Sequence, residues 1–175
     1  QGQLLDHLSR RSALLPYLLP WIIVSNESRI RPLSESERFP QFSSAYQFVM
    51  MRSHPEKEQQ FQELVEKSLQ PLRMPLPFEY AFHGSPSSNW HSIIRTGLKD
   101  MSKHQRISVC GVYFAANFRT SWGYSNPIQE DQGWRNSMYG LSWMALSLCE
   151  FVGPYEISFP GHIWNVKDED RIMTR

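Results

Sequence analysis

His83, Gly84 and Ser85 follow one another directly in the chain. The run from Phe78 to Phe82 before them is apolar and aromatic, which predicts a buried strand. Gly84 lets the backbone come close to a ligand. Pro86, Ser87 and Ser88 turn the chain. Ser88 or Asn89 is expected to cap a short helix whose inner face is Trp90, Ile93 and Ile94, with Gly97 as its stop. A histidine and a serine then sit at a strand end, beside backbone N–H and C=O groups. Such a place suits a flat amide and a sugar hydroxyl. Each residue has a plainer reading when taken alone. A tyrosine in a strand, such as Tyr113, is usually core. Ser121 on a short helix is usually solvated, and His83 alone reads as a satisfied polar residue. Trp90 and His91 read as packing and capping residues, and Cys110 as a small apolar residue near a strand start.

Three stretches occur together and in order: His83-Gly84-Ser85, Gly111-Val112-Tyr113-Phe114-Ala115 and Ser121-Trp122-Gly123-Tyr124. This set resembles the catalytic domain of the PARP family, the diphtheria-toxin-like ADP-ribosyltransferases, from about Tyr17 to the last residue. It is most similar to a mono-ADP-ribosylating branch in which Phe-His-Gly-Ser is followed by Asn-Trp-His-Ser-Ile. The resemblance implies NAD+ as co-substrate and His83, Gly84, Ser85, Tyr113, Ser121 and Tyr124 as its binding residues. His83 and Tyr113 would be the catalytic pair, and no metal is expected.

Cleaving the nicotinamide–ribose bond builds positive charge on the sugar. That chemistry needs a clamp on the carboxamide, a grip on ribose hydroxyls and electrostatic help for the cation. The resemblance assigns the carboxamide to the Gly84 backbone and a Ser121 donor, and the ring to a sandwich of Tyr113 and Tyr124. It assigns the ribose hydroxyls to His83 and Ser85. Val109 departs from the family, which commonly has glycine there. A third family position carries glutamate in polymer-forming members and tyrosine or an aliphatic residue in mono-transferring ones. It is expected on a strand beyond Ile172 to Arg175. Glu150 and Glu156, the nearest late carboxylates, do not match it.

The elements that must position these residues follow from periodicity and punctuation. Leu4, Leu5, Leu8, Leu14, Leu15, Leu18 and Leu19 predict one or two amphipathic helices that Pro16 and Pro20 bend or split. Trp21 to Val24 should continue their buried stripe. An extended piece is expected at Arg29 to Leu33 and a strand at Tyr46 to Met51. Ser53-His54-Pro55-Glu56 reads as a capped helix start. That helix runs to about Leu69, with Phe61, Leu64, Val65 and Leu69 inward. Lys99 to Ser108 occupies the place of the loop that covers the dinucleotide in the family. Asn117 should open the short helix carrying Ser121 and Tyr124, and Ser125 to Tyr139 reads as a polar loop. Leu141 to Val152 reads as a central strand buried on both faces. Later strands are expected at Ile157, at Ile163-Trp164 and over Arg171 to Thr174.

At 175 residues and 41% apolar composition the chain suits one domain with a real core. A net charge of +1 implies no broad basic face for nucleic acid. Its two cysteines lack metal-ligand spacing and suggest a reducing compartment, so the expected location is intracellular, cytoplasmic or nuclear. The longest apolar run, Ala13 to Val24, is too short to span a bilayer. The N-terminal part is too small for the autoinhibitory helical domain of DNA-dependent family members.

The sequence therefore predicts an α+β ADP-ribosyltransferase fold, with two packed, mainly antiparallel sheets forming an NAD cleft and with flanking helices. Residues 1–175 form one domain: a helical and loop segment over 1–45 and the NAD-binding core over 46–175, its last strand lying outside the chain. The expected function is transfer of one ADP-ribose unit from NAD+ to a protein acceptor. The alternative is an inactive NAD- or ADP-ribose-binding or interaction module, within a ubiquitin-pathway protein.

Overall fold

A computed structural model of the chain describes residues 2–44, 46–69, 78–101, 110–125, 139, 143–158 and 163–175, without the side chains of 2–4, 69, 78 and 158. The proline-rich approach at 71–77, the interior of the expected covering loop with Val109, and most of the polar loop before Tyr139 lie outside these residues.

Two helices, α1 (Gly2–Arg11) and α2 (Leu15–Ser25), open the chain. Pro16 sits in the first turn of α2, where a missing N–H costs nothing, and Pro20 lies within the helix without ending it. The expected buried stripe does not form: no residue of α2 is buried, and Trp21, Ile23 and Val24 are exposed. Apolar residues lie all round this helix, so one neighbour cannot cover them. It touches α1 and sets the Trp21 ring under the Arg95 guanidinium. A two-stranded antiparallel ribbon follows, made of β1 (Arg29–Pro32) and β2 (Phe48–Arg52). Helix α3 (Pro55–Leu69) has the expected first-turn proline.

The remaining strands are β3 (Phe78–Gly84), β4 (Val112–Ala115), β5 (Leu146–Val152), β6 (Glu156–Ser158), β7 (Ile163–Val166) and β8 (Ile172–Thr174). They form one antiparallel sheet in the order β6-β7-β4-β3-β5-β8. The class is α+β with two antiparallel sheets, and the six-stranded one carries every expected site strand. Strand β5 starts at Leu146 rather than Leu141, because the chain from Trp143 to Ala145 runs in without pairing.

Alternation of side chains divides the large sheet into two faces. On one face, Ala81, Val112, Phe114, Cys149, Phe151 and Val166 make the main core with Trp90, Ile93 and Leu98 from the segment around α4 (Trp90–Thr96). Phe114 and Phe151 stack there at 4.8 Å. On the other face, Phe61 of α3 packs with Val152 and Met173, and partly buried Leu64 and Val65 join them as expected. Helix α5 (Phe118–Trp122) lies on this second face too, with Phe118 against Phe82. Asn117 caps it by accepting a bond from the Arg119 N–H at 2.9 Å, as its position predicted.

Arg175 joins α3 to the sheet. Its Nε donates to Glu150 Oε2 at 2.6 Å, and its Nη1 donates to both oxygens of Glu58, at 3.1 and 2.9 Å. Glu150 is buried, so losing Arg175 strands a carboxylate away from water. Arg175→Ala should lower stability by about 2–3 kcal/mol in denaturant unfolding, a value discounted because the guanidinium is part-exposed. Burial raises the Glu58 pKa, but hydrogen bonds from Arg175, Gln62 and Ser53 and the charge of Arg175 together outweigh it and leave it below its ordinary 4.5. The Glu58 share of this stability is therefore present above pH 4.5 and lost as pH falls below it. The gap between wild type and Arg175→Ala should narrow on acidification.

Candidate functional site

The site lies where β3 and β4 part. Strand β3 pairs with β5 along its whole length, from Phe78↔Val152 to Gly84↔Leu146. With β4 it makes a single pair, Phe82↔Ala115. Beyond that pair the strands separate, which leaves Gly84 and Tyr113 on opposite sides of a gap. His83 bridges it: its Nδ1 lies 2.9 Å from the Tyr113 carbonyl oxygen. A carbonyl only accepts, so Nδ1 carries the proton and Nε2 is left as an acceptor. Burial pushes the His83 pKa below its ordinary 6.5, against a smaller opposite effect of the carbonyl bond. The ring sits 5.7 Å from that of Phe114, on the core face.

Tyr113 is not core. It is 41% exposed between the buried Val112 and Phe114. Tyr124 follows the end of α5 and is also exposed. Two bare aromatic rings near a strand gap are what a flat ligand needs.

Gly84 has a tighter constraint than the sequence suggested. A Cβ there would fall 1.8 Å from the Ser121 carbonyl oxygen and 2.8 Å from Ser125 Oγ. The close approach is to α5 and its end. Ser121 is buried, and its hydroxyl donates to the Phe82 carbonyl at 2.7 Å. Its proton is thus already used, which leaves the oxygen as an acceptor. Ser125, unnoticed in the sequence, is buried and donates to the Ala145 carbonyl at 2.8 Å. Helix α5 is therefore fastened to the site by serine hydroxyls bonded to carbonyls at or beside strand ends.

Ser85 is buried, and its Oγ accepts from Asn89 Nδ2 at 3.0 Å. Asn89 therefore holds Ser85 and does not cap α4; neither it nor Ser88 supplies a side-chain cap. Trp90 packs as expected and donates its indole N–H to the Ser85 carbonyl at 3.1 Å. Cys110 is exposed instead of packed. Cys149 is fully buried, which pushes its thiol up to about 11.

Asn165 is a second residue that sequence reasoning missed. It sits opposite Tyr113 in the β4–β7 register and is 2% exposed. Its Nδ2 donates to the Cys110 carbonyl at 3.1 Å. The only hint was a polar residue in a short apolar strand. Gly111, at φ +119°, lies so close that a Cβ would sit 2.0 Å from Asn165 Oδ1. Glycine is required there on both counts.

Among the described residues no group of histidine, cysteine, aspartate and glutamate is arranged to hold a metal ion. Nor is any helix long and apolar enough to cross a membrane.

The profile of the poly(ADP-ribose) polymerase catalytic domain matches residues 30–159. Protein mono-ADP-ribosyltransferase PARP8 of Homo sapiens is 27% identical over 196 aligned residues, covering 96% of this chain and 22% of that protein. The Mus musculus protein of the same name matches equally. Protein mono-ADP-ribosyltransferase PARP16 of Homo sapiens is 28% identical over 96 residues, covering 55% of this chain and 29% of that protein. The chain thus spans 22% of the length of the first of these relatives.

Two outcomes follow from this geometry. Gly84→Ala should cost at least about 3 kcal/mol of stability, because the new methyl meets helix backbone that cannot swing aside. Chemical denaturation would show it; a loss below about 1 kcal/mol would mean that α5 shifts freely. For His83, the unfolded chain takes up a proton near pH 6.5 while the folded chain resists it. Stability should fall as pH drops below 6.5, and His83→Gln should flatten that part of the profile of melting temperature against pH.

Proposed function

We propose, since the chain belongs to the poly(ADP-ribose) polymerase catalytic-domain family, that it transfers a single ADP-ribose unit from NAD+ to a protein acceptor and releases nicotinamide. The observation that carries this reading is the strand gap bridged by His83, with Tyr113 exposed beside it. The PARP8 and PARP16 relatives are named as mono-ADP-ribosyltransferases, which supports single transfer.

The residues fit NAD+. Exposed Tyr113 and Tyr124 offer ring faces for a nicotinamide. His83 Nε2 offers an acceptor for a ribose hydroxyl. Ser121, with its proton on Phe82, offers lone pairs to an amide N–H unless its hydroxyl turns on binding. Ser85 is the weakest member of the set, being buried and bonded to Asn89. When bound, NAD+ supplies a ribose carbon that becomes electrophilic as nicotinamide leaves. The chain holds the two ends of that bond still and keeps a neutral imidazole at the sugar.

We infer that the third family position, expected on a strand beyond Arg175, carries tyrosine or an aliphatic residue and no glutamate, in line with the names of the relatives. An aliphatic residue cannot activate a ribose hydroxyl as the next nucleophile, which is the task that favours a carboxylate in chain extension. Glu150 is two strands from β4 and engaged by Arg175, and Glu156 is bonded to Lys167. The compartment that suits this activity and the exposed thiol of Cys110 is intracellular.

Incubation of the chain with labelled NAD+, followed by a denaturing gel, should give one discrete labelled band. A ladder erased by an enzyme specific for poly-ADP-ribose would overturn single transfer. Binding of NAD+ without label on protein would instead make the chain a ligand-binding module.

A further inference from the structure

The peptide that joins Cys110 to Gly111 is held at both of its polar groups by side chains from other elements. Its N–H, on Gly111, donates to Asp100 Oδ2 at 2.9 Å. Its C=O, on Cys110, accepts from Asn165 Nδ2 at 3.1 Å. Gly111 lies close against Asn165, where a Cβ would fall 2.0 Å from Oδ1, and its φ of +119° is in the left-handed region, so glycine alone fits at this junction. Asp100 is itself fixed: its backbone N–H donates to Glu169 Oε1 at 2.6 Å. Lys99 Nζ stands 2.9 Å from the other Glu169 oxygen. The Glu169 carbonyl accepts from the buried Lys57 Nζ at 2.7 Å. A continuous set of bonds therefore runs from α3 to the peptide two residues before Tyr113.

Tyr113 needs such a support. Its ring is 41% exposed, so packing among the described residues holds it only in part, and the direction of its backbone matters. On its carbonyl side that backbone is tied to His83. On the upstream side ladder pairing ends at Val112↔Val166, and the gripped peptide takes over.

We propose that Asp100 and Asn165 are positioning residues for Tyr113: by binding the two ends of the Cys110–Gly111 peptide they set the angle at which β4 presents the Tyr113 ring to the nicotinamide end of NAD+. This rests on the reading of Tyr113 as a wall of the NAD+ site. Asp100 and Asn165 touch no ligand; they act through the main chain. Losing one of these bonds leaves the strand paired but lets the peptide turn, and the ring with it.

The test is a double-mutant cycle read by calorimetry with benzamide, a mimic of the nicotinamide end. Asn165→Leu keeps the bulk and removes the donor; Asp100→Ala removes the acceptor. Each should weaken benzamide binding by about fivefold, the equivalent of one ordinary hydrogen bond. In a Tyr113→Ala background the same changes should have no further effect, because the ring they position is gone. An equal loss in both backgrounds would overturn the proposal, since the residues would then act on the site by another route. Full affinity in the single variants would overturn it too. If Tyr113→Ala alone leaves benzamide affinity unchanged, the reading of Tyr113 itself fails, and the positioning role falls with it. Melting temperatures establish that each variant is folded. Should Asp100→Ala not fold, Asp100→Asn keeps the shape and a weaker acceptor, and should show a smaller loss that again vanishes without Tyr113.

Discussion

A sheet that opens between two central strands has a problem to solve. Backbone groups along the opening lose their ladder partners, and unpaired buried amides and carbonyls cost free energy. Here the opening begins after the single pair Phe82↔Ala115, and side chains take over the missing bonds. His83 answers the Tyr113 carbonyl, and Ser121 answers the Phe82 carbonyl. The gap stays open because these substitutes are short and directional, and because β3 keeps its full pairing with β5 on the other side. Histidine is suited to the bridge in a way that lysine, which has no acceptor, is not. It presents one nitrogen to a carbonyl and keeps a second, of opposite character, for whatever enters. Desolvation holds it neutral, which preserves that division of labour near pH 7.

The glycines mark where main chain and neighbour must come closest. Gly84 was legible in the sequence as a close approach, but what approaches is the α5 backbone. A motif shows that a side chain is forbidden; it does not show which body fills the forbidden volume. The same limit applies to Gly111. Its place before a strand suggested a family signature, whereas its φ and its contact with Asn165 supply the physical need. Asn165 was invisible because a single polar residue in a four-residue strand has no periodicity, and its partner Cys110 lies far off in the chain.

Elements with strong period or clear punctuation were readable. Helix α3, with its first-turn proline, and the strands β3, β4 and β7 appear where the residues put them. Failures came where hydrophobicity was taken for burial. The run from Leu15 to Val24 is apolar enough for a core, but it forms a helix with apolar residues on every side and few neighbours. Run length also overextended β5, since apolar residues before Leu146 need not pair. Sheet order is a different kind of information. No local pattern says that β7 returns beside β4.

Polar bonds hold the two sides of the gap in different ways. His83, Gly84 and Ser121 stand on β3 and α5, which are locked to the main sheet by full strand pairing and by ring contacts such as Phe82 with Phe118. Tyr113 stands on a four-residue strand paired with β7 between the buried Val112 and Phe114, and side chains hold the peptide that leads into it. Apolar packing tolerates small shifts with little loss, whereas a hydrogen bond that sets a peptide plane does not. Both walls of the gap thus rest on the core, and the Tyr113 wall has polar holds at its upstream end besides. Those holds are what chemistry can adjust most readily without disturbing the fold. Substitutions on the Asp100, Glu169 and Asn165 side can retune how the ring meets a ligand, while changes at Gly84 or Ser121 must first be absorbed by the sheet and by α5.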